Sequence, residues 1–260
     1  MNNLSDYAEI KLLDHFLKTA AYTPATNLYV GFSTADPTDD GSGIAEPSGN
    51  NYAREVCNVF DAASGRATAN TAAITFNLAS GSWGVITHWF ISDASTAGNM
   101  LAYGAFTEQK TIVSGNIPEI AAGEMDLSWV TGAMSTYLAN KLLDHLLKTA
   151  AYTAPTHIYV GLSTANPTDD ASGVAEPAAA NYSRVICDVW DAAASGASEN
   201  TSAITMPTAS GSWGTITHAF LSDAASGGNM LIYGAVAPSQ PVGTNDYMEW
   251  LAGGFDITLN

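Results

Sequence analysis

The 260-residue chain is 47% hydrophobic and only 13% charged, enough apolar matter for a packed core and too much for a disordered tail. Its 8 Lys and Arg stand against 25 Asp and Glu, a net charge of −17, which excludes a nucleic-acid partner and disfavours an anionic membrane surface. No apolar run nears the ~20 residues of a bilayer span, and Met1-Asn2-Asn3-Leu4-Ser5-Asp6 lacks the basic and apolar regions of an export signal.

Residue n keeps matching residue n+130. Lys11-Leu12-Leu13-Asp14-His15 returns as Lys141-Leu142-Leu143-Asp144-His145, and Ser82-Trp83-Gly84 as Ser212-Trp213-Gly214. Repeats this long are tandem domains and not solenoid units, so two domains are expected, 1–130 and 131–260. The join around 130–135 is short and leaves little room for a flexible tether.

Each repeat opens with a helix. Ser5 or Asp6 can cap the first, with Ile10, Leu12, Leu13, Phe16 and Leu17 as its apolar stripe; Ser135 or Thr136 caps the second. Lys18 and Lys148 are expected in the last turns, where a cation suits the helix dipole. The period then changes to that of a strand over 27–34, followed by the loop Asp36-Pro37-Thr38-Asp39-Asp40-Gly41. Further strands are expected at 52–60, 70–76, 84–92, 100–106 and 119–129, with turn clusters between them. A helix that occurs once per repeat argues against a parallel sheet. Six to eight short strands over roughly 120 residues indicate a mainly β fold: two tandem antiparallel β-sandwich, jelly-roll-like domains, each preceded by an N-terminal helix.

No catalytic constellation stands out. His88 and His218 lie in predicted strands without a nucleophile elbow beside them, and a backbone-satisfied, half-buried role is expected. Asp39 and Asp169 belong to loops whose spacing fits an Asx turn better than a calcium loop. Trp83 and Trp213 could stack on sugar rings, with core filling the blander use. Cys57 and Cys187, one per repeat, are expected as buried free thiols. No metal or other cofactor is implied. These six residues, Trp83, Trp213, His88, His218, Asp39 and Asp169, are the candidate contact or glycan-stacking positions. The exchanges Asn27/His157 and Asp36/Asn166 mark where the two copies would make unequal contacts.

Leu142-Leu143-Asp144-His145, Ala151-Tyr152-Thr153, Pro167-Thr168-Asp169, Asn181-Tyr182-Ser183-Arg184, Ser212-Trp213-Gly214 and Tyr233-Gly234-Ala235 follow in order, and the first repeat carries the same series. This series resembles a family of small single-domain, tail-fibre-like structural proteins of tailed bacteriophages, here duplicated. The resemblance implies a virion component without enzymatic activity. A fibre shaft needs heptads or short repeats, and the chain has neither. The leading expectation is therefore a capsid decoration or cement protein on the outer surface of the particle, made in the host cytoplasm. The alternative is a tail-fibre or tail-tip module that binds a host glycan. Its partners would be the major capsid protein or tail proteins and further copies of itself, with three chains suiting a three-fold site.

Overall fold

The computed structural model describes residues 3–129, 133–178 and 180–258; most of the join lies outside them. In the first repeat, helix α1 (Asp6–Leu17) precedes β1 (Tyr29–Ser33), β2 (Glu55–Val56), β3 (Ala67–Ala69), β4 (Ile74–Thr75), β5 (Gly84–Ser92), β6 (Met100–Ile112), β7 (Glu119–Ile120) and β8 (Asp126–Ser128). The second repeats the series as α2 (Thr136–Leu146), β9 (Tyr159–Ser163), β10 (Val185–Ile186), β11 (Ala197–Glu199), β12 (Ile204–Thr205), β13 (Gly214–Ser222), β14 (Met230–Val242), β15 (Glu249–Trp250) and β16 (Asp256–Thr258). The protein is mainly β, two tandem antiparallel sandwiches, each preceded by a helix.

The compact units draw on both sequence repeats. Unit 1 gathers Met1–Leu12, Thr23–Val130 and Asn140–Tyr152; unit 2 gathers Leu13–Tyr22, Thr131–Ala139 and Thr153–Asn260. Each unit thus contains the end of the helix, and the residues after it, from the other repeat. Within unit 1, Asp144 Oδ1 accepts from the Ala63 amide at 2.7 Å and Asn140 Oδ1 from the Arg66 amide at 2.8 Å. The Lys148 ammonium donates to the Thr26 carbonyl. Within unit 2, Asp14 Oδ1 accepts from the Ala193 amide at 2.8 Å, and Lys18 Nζ pairs with Asp188 at 3.1 Å.

The helix starts are set by serine. Ser5 Oγ accepts from the Ala8 amide at 3.2 Å and Ser135 Oγ from the Leu138 amide at 3.1 Å, the side-chain bond that satisfies an otherwise orphaned N–H. The ends differ from the sequence expectation. Lys18 and Lys148 lie beyond the helices with φ of 68° and 64°, so they stop the helix as left-handed residues and do not sit in its last turn. That conformation turns the chain back, letting Thr19 N reach the Asp14 carbonyl at 3.0 Å.

Each unit has a four-stranded antiparallel sheet, in order β2-β1-β5-β6 and β10-β9-β13-β14, faced by the pairs β3/β8 and β4/β7, or β11/β16 and β12/β15. The strand expected at 52–60 shrinks to two residues because its side chains take over the bonding. Tyr52 Oη donates to Glu46 at 2.8 Å and accepts from the Phe32 amide at 2.9 Å. Arg54 grips the same carboxylate through Nε and Nη2, both at 2.9 Å, donates to the Ala94 and Ala97 carbonyls, and lies 4.8 Å over the Phe90 ring. Arg184, Glu176 and Phe220 repeat the arrangement. The strand expected at 100–106 grows instead, running on to Ile112 after a bulge opposite Ile86 and His88.

Candidate functional site

The six candidate positions fall into three settings. Trp83 and Trp213 are buried, at 4% and 3% exposure. Their indole N–H groups donate to the Asn50 and Ala180 carbonyls at 2.9 and 2.8 Å, and each ring meets a tyrosine edge-on. With both faces inside the core, neither ring is open to a sugar. His88 and His218 are half-buried on β5 and β13, each Nδ1 bonded to the preceding threonine hydroxyl at 2.8 and 2.9 Å. Asp39 and Asp169 are exposed in the loops that follow β1 and β9. Burial of part of the Asp39 carboxyl raises its pKa against the opposing bond from Tyr103, while Asp169 accepts from Thr136 Oγ1 at 2.9 Å. Within each unit the tryptophan, the histidine and the aspartate fall in separate settings.

Around Asp39 and Asp169 the loops are self-contained. Thr38 Oγ1 donates to Asp40 at 2.7 Å, and Asp40 accepts from the Ser42 amide at 3.0 Å; Thr168, Asp170 and Ser172 repeat this. Among the described residues no group of three His, Cys, Asp or Glu is placed to hold a metal ion. Cys57 and Cys187 are buried free thiols, and burial pushes them up to about 12 and about 11. A thiol held protonated is a poor nucleophile.

Of the two exchanges singled out from sequence, Asp36/Asn166 is structurally matched, whereas at Asn27/His157 the contacts are unequal: His157 and Lys18 both pair with Asp188, at 2.6 and 3.1 Å, where Asn27 meets the neutral Asn58. Asn166 Oδ1 accepts from the Thr168 amide at 3.0 Å, as Asp36 Oδ1 does from Thr38. His157 bonds Asp188 where Asn27 bonds Asn58, and the same two partners accept from the Ile158 and Leu28 amides.

A larger inequality lies elsewhere. In unit 1, Trp89 on β5 faces Gly104 on β6 and is 2% exposed. A Cβ at Gly104 would stand 2.4 Å from the indole, so the glycine is what lets the ring lie flat across the neighbouring strand. Ile120 and Met125 are fully buried nearby, and Lys110 closes the surface, 2.7 Å from Glu124 and 4.9 Å above the Phe106 ring.

In unit 2 every one of these parts but the glycine has changed. Ala219 faces Gly234 in the same register, and nothing lies within 4 Å of where a Gly234 Cβ would be. Val236, Gln240 and Gly254 stand for Phe106, Lys110 and Glu124, so ring, strap and counter-charge are lost together. Trp250 and Phe255 replace Ile120 and Met125; both are partly exposed, with ring centroids 5.4 Å apart at 67°. Tyr247, in place of Ile117, is 55% exposed. The result is a cleft of about 650 Å³ lined by residues of unit 2, Glu249 and Asp256 among them and no Lys, Arg or His. Sequence reasoning missed it, although the signal was present: a tryptophan replaced by alanine at a repeat-equivalent position while its partner glycine stayed.

The family model described as podophage GP4 fiber I protein gp80 matches residues 3–128 and again 133–258. The chain belongs to this family. Its two matches cover nearly the whole sequence and fall on the two repeats, so each repeat matches the family by itself and the protein is a phage structural protein of the fibre type. A search of curated proteins returns no match. No described helix is long and apolar enough to cross a membrane.

Proposed function

We propose that the protein is a non-enzymatic component of the outer surface of a tailed-phage particle, carried as a globular module on or at the base of a fibre. The observation that supports this most directly is the twofold match to a fibre protein's family model. As a virion component the module docks on other virion proteins, with further copies of itself making up a symmetric site. The exposed loops with Asp39 and Asp169, and the half-buried His88 and His218, are the residues we assign to such contacts. Among the described residues that line the unit 2 cleft there is no Ser, Cys, Lys or His from which a nucleophile–base pair could be built.

A second reading, decoration of the capsid lattice, rests on the lack of heptads or short shaft repeats in the sequence. Cryo-electron microscopy of purified virions separates the two. Density for the paired sandwiches at the tail supports the fibre reading, and density repeated over the capsid supports decoration. Absence from the particle overturns both. A turnover assay on host envelope polysaccharide tests the non-enzymatic assignment, and steady product release would refute it.

A further inference from the structure

We propose that the unit 2 cleft is a binding site for a neutral saccharide, present in the second repeat alone. The cleft's volume falls within the ~300–1,000 Å³ common for small-molecule sites. Its lining includes the partly exposed rings of Trp250 and Phe255 and the exposed ring of Tyr247. A pyranose presents a face of C–H groups that lies against such rings, while its hydroxyls point outward as donors and acceptors. Glu249, Asp256 and Gln240 line the same cleft, and carboxylate and amide oxygens are suited to receive those hydroxyls.

The charges exclude anionic and purely apolar ligands. A phosphate, a sialic acid or another anionic sugar needs a cation or a cluster of N–H donors, and the lining offers two carboxylates and no cation. A purely apolar ligand would leave those carboxylates desolvated against it, at a cost that rings alone do not offset.

The comparison between the repeats carries the argument further than the cleft alone. Opening a sandwich surface by removing a tryptophan ring, a phenylalanine ring and an ion pair costs stability. Ile120 and Met125, silent in the core of unit 1, are exchanged at the same places for larger aromatic groups that reach the surface. Random loss of packing replaces large residues by small ones. Here small residues lie behind the cleft and large aromatic ones at its mouth, the distribution that makes room for a ligand and then holds it. The inference concerns what the cleft binds, and it holds wherever on the particle the protein sits.

The experiment uses the full chain on an array of neutral oligosaccharides built from glucose, galactose, mannose, rhamnose and N-acetylhexosamines, beside sialylated and phosphorylated glycans. Soluble forms of any hit are then titrated by tryptophan fluorescence. Binding of a neutral glycan is expected, and Trp250→Ala should weaken it by about tenfold or more, the scale of one aromatic contact in a cleft. Ala219→Trp restores the ring that unit 1 carries, opposite a glycine with room for it, and should abolish binding while leaving thermal unfolding intact. Should that variant fold poorly, Trp250→Ala and Tyr247→Ala carry the test, since both act at the cleft's mouth. No neutral glycan bound, a preference for acidic glycans, or binding that survives these substitutions would overturn the assignment. Localisation on the virion is read separately by imaging, so failure of one reading leaves the other standing.

Discussion

Unit 1 and unit 2 share a strand order, a register and an Arg–Glu brace, and they differ sharply at one patch. In unit 1 the patch is closed: Trp89 over Gly104, Phe106 beneath Lys110, Lys110 tied to Glu124. In unit 2 it is an aromatic cleft. The difference teaches that a duplicated scaffold can hold one copy to packing while the other takes up a ligand. Positions identical in both copies are mostly framework, and the informative residues are those whose environment changes along with their identity.

The harshest way to break the comparison is Trp89→Ala, which gives unit 1 the residue that unit 2 has. Removing a buried tryptophan with no ligand-shaped replacement around it should destabilise unit 1 by about 3–5 kcal/mol. Calorimetry should show the loss confined to one of two transitions. Ala219→Trp should leave unit 2 unharmed, because the site it fills is empty. If both substitutions cost the same, the patch is ordinary core in both units and the contrast drawn above is wrong.

Next in size is the brace the units share. Arg54 and Arg184 have side chains 7% exposed, each bidentate to a carboxylate that is about a quarter exposed. Removing either leaves Glu46 or Glu176, two or more carbonyls and one ring face without a cation. Arg54→Ala and Arg184→Ala should each cost about 2–3 kcal/mol, less than a wholly buried pair because the carboxylates keep some water. Chemical denaturation measures this, and equal losses in the two variants would sharpen the claim that the framework is common property. Arg54→Lys should recover little, since an ammonium cannot match the planar fork.

Much of this fold was legible because its signals are local. The helix caps, the strand at 29–33 and the long strand starting at Gly84 follow from hydroxyl placement and from period alone. The short strands were not legible as such: residues 52–60 alternate like a strand, yet Tyr52 and Arg54 spend their polar groups on Glu46, twelve or fewer positions earlier in a loop. The composition of the compact units was hidden too. Nothing in the identical Leu-Leu-Asp-His segments says that Asp144 bonds an amide of the first repeat, or Asp14 one of the second. The cleft lay in plain sight as Trp89 against Ala219, but its meaning depended on knowing that Gly104 and Gly234 are the facing residues.

That exchange of aspartates supplies a test of intermediate size. Asp14→Ala in the first repeat should loosen unit 2, and Asp144→Ala in the second should loosen unit 1, each by about 1–2 kcal/mol for an amide left without its acceptor. Amide hydrogen exchange reads the location. Faster exchange at Ala193 in Asp14→Ala, with Ala63 unchanged, is the expected pattern, and Asp144→Ala should reverse it. Faster exchange at Ala63 in the first variant would mean that each repeat closes on itself.

The smallest effect concerns the exposed loops, where the copies differ in sequence and agree in geometry. Hydrogen bonds from Ser42 and Thr38 hold the Asp40 carboxyl down to about 2, and those from Thr168 and Ser172 do the same for Asp170. An acid held below its ordinary value favours the folded loop when ionised. That contribution is complete above the ordinary value of 3.8, declines as pH falls below it, and is gone once pH passes below about 2. The Ser42 and Ser172 amides, followed by NMR from pH 5 downward, should titrate with a common midpoint near the lower value. Asp40→Asn and Asp170→Asn should flatten the two curves separately. The common midpoint is the point of interest, because Asp36 of one loop is exchanged for Asn166 in the other, only two residues before the threonine that each aspartate holds. Both side chains present the same oxygen to that threonine's amide at 3.0 Å, and in water a neighbouring exposed charge adds little to bonds made at contact. Well-separated midpoints would show that charge, and not the hydrogen-bond ring, governs these loops, and would return the Asp36/Asn166 exchange to the set of positions where the two repeats truly differ.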